Sequence, residues 1–138
     1  MSTYPEYMVA PMREELTTVG FSELKTAAEV ENTVKQDGTT LVFVNSVCGC
    51  AAANARPAAV MATKHSKTPT RFTTVFAGME KEAVDKARGL MMPYPPSSPS
   101  IALFKDGKLV HFIERLQIEG RPAELIAQSL TQAFDEHC

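Results

Sequence analysis

Apolar residues recur along this chain with helical and strand periods in alternation. Over residues 5–19, Met8, Met12, Leu16 and Val19 fall at spacings of four, four and three, one helical stripe that Gly20 ends. A second helix is predicted over 27–36, because Thr26 followed by Glu29 matches a capping box and Asp37-Gly38 closes the segment. Leu41-Val42-Phe43-Val44 then forms an unbroken apolar run, the mark of a buried strand, and stops at the turn and cap formers Asn45-Ser46. From Cys50 toward His65 the alanine-rich stretch is helical. Pro57 lies within it, and either kinks one helix or opens a second after a stop near Ala55. Residues 71–77 are rich in β-branched and aromatic side chains and predict a strand. Residues 79–90 predict a helix with Glu82 and Lys86 paired on its wet face. The proline-rich segment 93–99 can be neither helix nor central strand. Strands over 100–104 and 109–113 flank Asp106-Gly107, a strong hairpin signal. The final helix opens near Pro122 and carries Leu125, Ile126, Ser129, Leu130 and Ala133 on one face.

This order predicts an α/β fold. A β-α-β unit requires parallel strands, and the hairpin adds an antiparallel pair. The result is a central mixed four-stranded sheet flanked by helices, with an extra N-terminal helix. The 138 residues suit a single domain, with a helical segment over 1–38 and a core over 39–138. Composition is that of a globular chain, 44% hydrophobic and 22% charged. A net charge of −2 provides no basic field, so no nucleic-acid partner is expected. No run approaches the roughly 18 apolar residues of a membrane span, and none is expected to cross or bind a membrane. The first residues lack the basic and apolar regions of a signal peptide, and three cysteines make no secreted disulfide framework. A cytoplasmic location is the expectation.

The candidate chemistry lies at Cys48-Gly49-Cys50, between the buried strand and the alanine-rich helix. A helix N-terminus presents unpaired N–H groups and partial positive charge, which stabilise a nearby thiolate. Cys48 precedes the helix and is the expected nucleophile, while Cys50, in the first turn, is placed to resolve a mixed disulfide. Gly49 leaves the approach unobstructed and tolerates unusual backbone angles. A disulfide spanning one intervening residue closes a small ring, which favours the labile class of bond. Two cysteines could instead contribute to a zinc site. The remaining ligand candidates are His65, His111, His137 and Cys138, and only the last two are adjacent. No metal is expected. His65 is expected to complement a helix C-terminus and His111 to lie on the polar side of a strand. Arg56 is expected on the surface, solvated or ion-paired, Met8 and Met12 in the core, and Cys138 at a frayed end.

The element order, the thiols at a strand–helix junction, and the run from Ser98-Pro99-Ser100 to Asp106-Gly107 resemble the thioredoxin superfamily. That resemblance implies a cis-proline at Pro99 facing the cysteines, with Ser98 and Pro99 presenting backbone to a bound substrate. More narrowly, the chain resembles the bacilliredoxins. The match rests on Met12-Arg13-Glu14-Glu15-Leu16-Thr17, Gly20-Phe21, Asn45-Ser46-Val47-Cys48-Gly49-Cys50-Ala51, Ala55-Arg56-Pro57 and Ser98-Pro99-Ser100. It implies a thiol–disulfide oxidoreductase that removes bacillithiol from protein mixed disulfides, with weak disulfide isomerase or reductase activity. The implied nucleophile is Cys48, the resolving thiol Cys50, and their disulfide the redox-active bond. Substrate contacts at Gly49, Ser98 and Pro99 follow from the same likeness. The implied partners are bacillithiolated client proteins, bacillithiol itself and a recycling reductase, with no cofactor held by the chain.

Overall fold

The fold is seen in a computed structural model that describes residues 3–138. Its sheet runs β1 (Ser22–Glu23), β3 (Arg71–Phe76), β2 (Thr39–Asn45), β4 (Ser100–Lys105) and β5 (Lys108–Ile113) from edge to edge. The pairs β1–β3 and β3–β2 are parallel, while β2–β4 and β4–β5 are antiparallel. There are thus five strands where four were expected. The added one is a two-residue edge bridge, with Ser22 opposite Thr73, too short to leave a periodic trace in the sequence.

Every residue of β2 is buried, as a central strand covered on both faces must be. Leu41 and Phe43 point into a cluster with Leu16, Ala58, Ala59, Leu130 and Phe134. Val42 and Val44 join Val30, Val34, Val84 and Ala87 on the other side. The two clusters correspond to α3 (Arg56–Ala62) with α5 (Ala123–His137), and to α2 (Ala27–Lys35) with α4 (Lys81–Leu90).

Local signals explain most boundaries. The Glu29 N–H donates to Thr26 Oγ1 at 3.1 Å and the Thr26 N–H to Glu29 Oε1 at 3.2 Å, the capping box expected of TAAE. Asp106 and Gly107 adopt φ of 51° and 83°, so the β4–β5 turn has the two left-handed residues of a type I′ hairpin. Its Asp106 Oδ1 accepts from the Gly38 N–H at 2.8 Å, which ties the hairpin to the start of β2.

Several expectations change. In α1 (Glu6–Thr17) the buried face is Val9, Arg13 and Leu16, while Met8 is 40% exposed and Met12 half-buried. The face is rotated because Arg13 turns inward, bonded to Glu6, Glu23 and Glu80 and stacked on the Phe76 ring. Glu82 and Lys86 do not pair; Lys81 meets Asp85 at 2.6 Å and Lys86 reaches Glu31 on α2 at 3.5 Å. In α5, Leu125 is exposed, and the inward face is Ala123, Ile126, Ala127, Leu130, Ala133 and Phe134. Pro57 produces neither expected outcome in full. The backbone widens into a π-turn over Ala51–Ala55, closed by the Arg56 N–H donating to Ala51 O, and α3 continues from it without a break. The wide turn accommodates the proline, whose missing N–H and ring would disrupt a regular α-turn. Helical geometry ends at Ala62, so His65 lies beyond the helix, where its Nε2 meets Asp135 Oδ1 of α5 at 2.8 Å.

Candidate active site

The site grows from the end of β2. Asn45 caps the strand with both ends of its amide: Nδ2 donates to Met12 O at 3.1 Å, and Oδ1 accepts from the Ser46 N–H at 2.9 Å. Ser46 Oγ in turn accepts the Cys48 N–H at 3.1 Å. Beneath this turn lies Arg56, only 2% exposed rather than at the surface. Its Nη1 donates to Asn45 Oδ1 at 2.9 Å and Ser46 O at 3.0 Å, and its Nε to Glu15 Oε2 at 2.7 Å. Buried polar backbone must find partners, and a planar guanidinium satisfies two acceptors in one plane. The turn that delivers Cys48 is therefore held from below by a side chain on the helix that follows it.

The helix begins at Gly49, and the Cys48 carbonyl accepts the Ala51 N–H at 3.0 Å. Gly49 has ordinary helical backbone, so no special φ demands glycine, which corrects that part of the sequence reading. A Cβ there would meet nothing within 4 Å, so the space beside Gly49 is open. The two sulfurs lie 2.6 Å apart and the cysteines are free. Their proton affinities split in opposite directions. The hydrogen bond from the Cys50 thiol lowers the Cys48 pKa most, assisted by the Cys50 and Ala51 N–H groups and the positive charge of Arg115. Burial raises the Cys50 pKa first, reinforced by its bond to Cys48 and by that neighbour's charge. The pair holds one negative charge best on Cys48.

A cavity of about 350 Å³ opens beside Cys48, lined by Tyr4, Ser46, Gly78, Ser98 and Arg115 among others. One wall is an N-terminal segment, where the Thr3 N–H donates to Gly78 O at 2.7 Å. Gly78 has a φ of 91°, and a Cβ on it would sit 2.8 Å from Tyr4 Cε2, so glycine allows the chain to lie this close. The facing wall is the loop before β4. The Ser98–Pro99 bond is cis and Ser98 lines the cavity, while Pro99 is buried. A second cis bond, Met92–Pro93, was not expected.

Arg115 starts a 3₁₀ turn (Arg115–Gln117) after β5, and no local pattern in the sequence singled it out. Its Nη1 lies 3.4 Å from Ser98 O and its Nε pairs with Glu119. Arg56, by contrast, stood in the Ala55-Arg56-Pro57 match, yet its contacts depend on packing. The histidines stand apart from the thiols. His111 is half-buried with Nε2 3.1 Å from Ser129 Oγ of α5, not on a free polar face, and burial lowers its pKa. His137 lies beside Glu136, and Cys138 is exposed at the chain end. Among the described residues, no three His, Cys, Asp or Glu side chains gather as a metal site would require.

This geometry has counterparts in known proteins. Residues 4–138 match the family described as disulphide isomerase. A bacilliredoxin of Cytophaga hutchinsonii is 56% identical over 133 residues, 96% of this chain and 98% of that protein. A bacilliredoxin of Bacillus licheniformis is 55% identical over 144 residues, covering both chains in full. The chain belongs to the bacilliredoxin family. Its fold is also that of the oxidised mitochondrial thioredoxin 3 of Saccharomyces cerevisiae, with a TM-score of 0.61 at 19% identity over 88% of this chain and 98% of that one. Bacilliredoxin membership on a thioredoxin-like fold assigns the chain a redox role, at the general level of a thiol–disulfide oxidoreductase. No described helix is long and apolar enough to cross a membrane.

Proposed function

We propose that the chain removes bacillithiol from protein mixed disulfides, with Cys48 as nucleophile and Cys50 as resolving thiol. The observation that carries the assignment is geometric: two free sulfurs 2.6 Å apart at the start of a helix, with Cys48 lining an open cavity. The downward shift at Cys48 and the upward shift at Cys50 agree with it. The Cys48 thiolate attacks the bacillithiol sulfur of the mixed disulfide. A Cys48–bacillithiol disulfide forms, and the client cysteine leaves as a thiolate that takes up a proton. Negative charge on Cys48 is thereby consumed, and with it two of the influences that hold the proton on Cys50. Cys50 then loses its proton and attacks Cys48 Sγ. The bond to bacillithiol breaks, bacillithiol departs as a thiol, and a Cys48–Cys50 disulfide remains. The dithiol has supplied two electrons to one mixed disulfide. Two thiol equivalents, from bacillithiol and a reductase that regenerates it, restore the dithiol, and the chain holds no cofactor of its own. Slow isomerase or reductase activity uses the same thiolate on other disulfides, and a reducing cytoplasm keeps the pair ready.

Gly49, Ser98 and Pro99 form the proposed contacts for the incoming disulfide. Support comes from the open space above Gly49 and the position of Ser98 on the cavity wall.

The test is intact-mass analysis of reduced Cys50→Ala protein mixed with a bacillithiolated model protein. A single bacillithiol adduct on Cys48, with the model protein released free, is the expected result. A Cys48 that is rapidly alkylated yet takes no bacillithiol would assign the thiolate to another substrate. Cys48→Ala abolishes turnover in this scheme, and retained turnover would overturn it.

A further inference from the structure

The cavity beside Cys48 contains a charge that the exchange chemistry does not by itself require. Cys48 needs a positive environment, and backbone N–H groups at the helix start already contribute to one. Arg115 comes from a different part of the chain, beyond β5, and lines the same cavity as Cys48, Ser46 and Ser98. Its guanidinium is anchored on both sides, at Ser98 O and at Glu119, while the side chain stays 45% exposed. Arg115 lines the cavity, and of the five N–H donors of a guanidinium these two contacts engage only part. Its fork matches a carboxylate in geometry as well as charge. Among the described residues, the rest of the lining offers hydroxyls at Ser46 and Ser98 and an aromatic ring at Tyr4, with no acidic side chain. At about 350 Å³ the space is of the size that holds a small molecule rather than a folded segment.

We propose that Arg115, with Ser98 beside it, binds a carboxylate of the small thiol carried on Cys48, and so makes the cavity selective for anionic thiols. The proposal rests on the exchange reaction above and names the chemical class of its leaving thiol. In the first step the retained sulfur becomes bonded to Cys48 while its carboxylate lies against Arg115. The client protein occupies the open side above Gly49. In the second step Cys50 breaks the same bond, and the anionic thiol leaves from the cavity. Glu119 moderates the site. It holds Arg115 in place and offsets part of its charge, which limits affinity and lets the thiol depart.

Cys50→Ala protein is treated with 2-pyridyl disulfides of 3-mercaptopropionate, 2-mercaptoethanol and cysteamine. These place a negative, neutral or positive group on the transferred thiol, with the same leaving group throughout. Release of 2-thiopyridone gives the rate, and intact mass confirms the adduct on Cys48. All three reagents meet the same thiolate, so the ratio of rates removes any change in its pKa. The anionic reagent is expected to lead the neutral one by about two- to fivefold, the factor of one solvent-exposed charge pair, and the cationic one to trail. Arg115→Gln brings the anionic-to-neutral ratio to about one, Arg115→Lys retains part of it, and Glu119→Gln increases it. A ratio unchanged when Arg115→Gln is added to Cys50→Ala, or near one in Cys50→Ala itself, overturns the subsite and leaves the exchange reaction standing. Failure of all three reagents to label Cys48 overturns both.

Discussion

Two arginines flank the Cys-Gly-Cys turn, and they are opposites in almost every respect. Arg56 lies beneath it, 2% exposed, with hydrogen bonds of 2.7 to 3.0 Å to Glu15, Asn45 and Ser46. Arg115 stands at the open side, exposed, with one 3.4 Å contact to Ser98 and a surface pair with Glu119. The buried one fixes where Cys48 is; the exposed one alters how Cys48 and its ligand behave. A buried guanidinium supplies donors to backbone and amide oxygens that water does not reach, so its loss is a loss of structure. An exposed guanidinium competes with water and salt, so its loss is felt as a change in reactivity.

The contrast can be broken most severely at Arg56. Arg56→Met is expected to cost about 2–4 kcal/mol of folding stability, because Asn45 Oδ1 and Ser46 O lose buried donors. Urea denaturation of the reduced protein measures this, and a loss under 1 kcal/mol would show that the turn does not depend on Arg56. Gly78→Ala comes next, at about 1–2 kcal/mol for a non-glycine residue held at positive φ. Its added Cβ also pushes on Tyr4, so the thiol-exchange rate should fall along with stability. An alanine variant as stable and as fast as the parent would remove Gly78 from the cavity wall.

Changes at the open side should spare the fold. Arg115→Gln is expected to leave stability within about 0.5 kcal/mol, as surface substitutions usually do. It should nonetheless raise the pH at which Cys48 becomes reactive. The sign follows from the charge. A lowered pKa enlarges the thiolate fraction at neutral pH, so alkylation of Cys48 in the reduced protein should reach half its maximum at a lower pH than alkylation of an ordinary free thiol. Cys50→Ala removes the largest lowering influence and should move that midpoint up furthest; Arg115→Gln should move it by less, in the same direction. A midpoint that moves more in Arg115→Gln than in Cys50→Ala would reverse the ranking of the two. The smallest expected effect is that of salt. Between low and high ionic strength the Arg115 contribution should fade while stability set by Arg56 holds, since buried pairs are screened much less.

How legible the molecule was in its sequence differs between these two regions as well. Thr26 with Glu29, Asp106-Gly107 and the apolar run of β2 are local signals, and each produced the expected element. The position of Cys48-Gly49-Cys50 between strand and helix was equally local. Met8 and Leu125 misled because a helical stripe allows more than one rotation, and an inward Arg13 or a smaller alanine face decided which was used. Pro57 was ambiguous because a π-turn, a third way to seat a proline, depends on what packs around it. Arg56 has the composition of a surface residue, and only the three oxygens that meet it explain its burial.

Residues near one another in sequence thus determined the long helices, the four longer strands, the hairpin turn and the pair of thiols, because those depend on backbone preference and on periodicity over a few residues. Tertiary structure alone decided the remainder. It brought Arg115 from beyond β5 and Ser98 from the loop before β4 to the same cavity as Cys48, and laid Tyr4 over Gly78. Such approaches connect positions tens of residues apart in the chain. The charge and the walls of the site come from contacts that no single stretch of sequence contains.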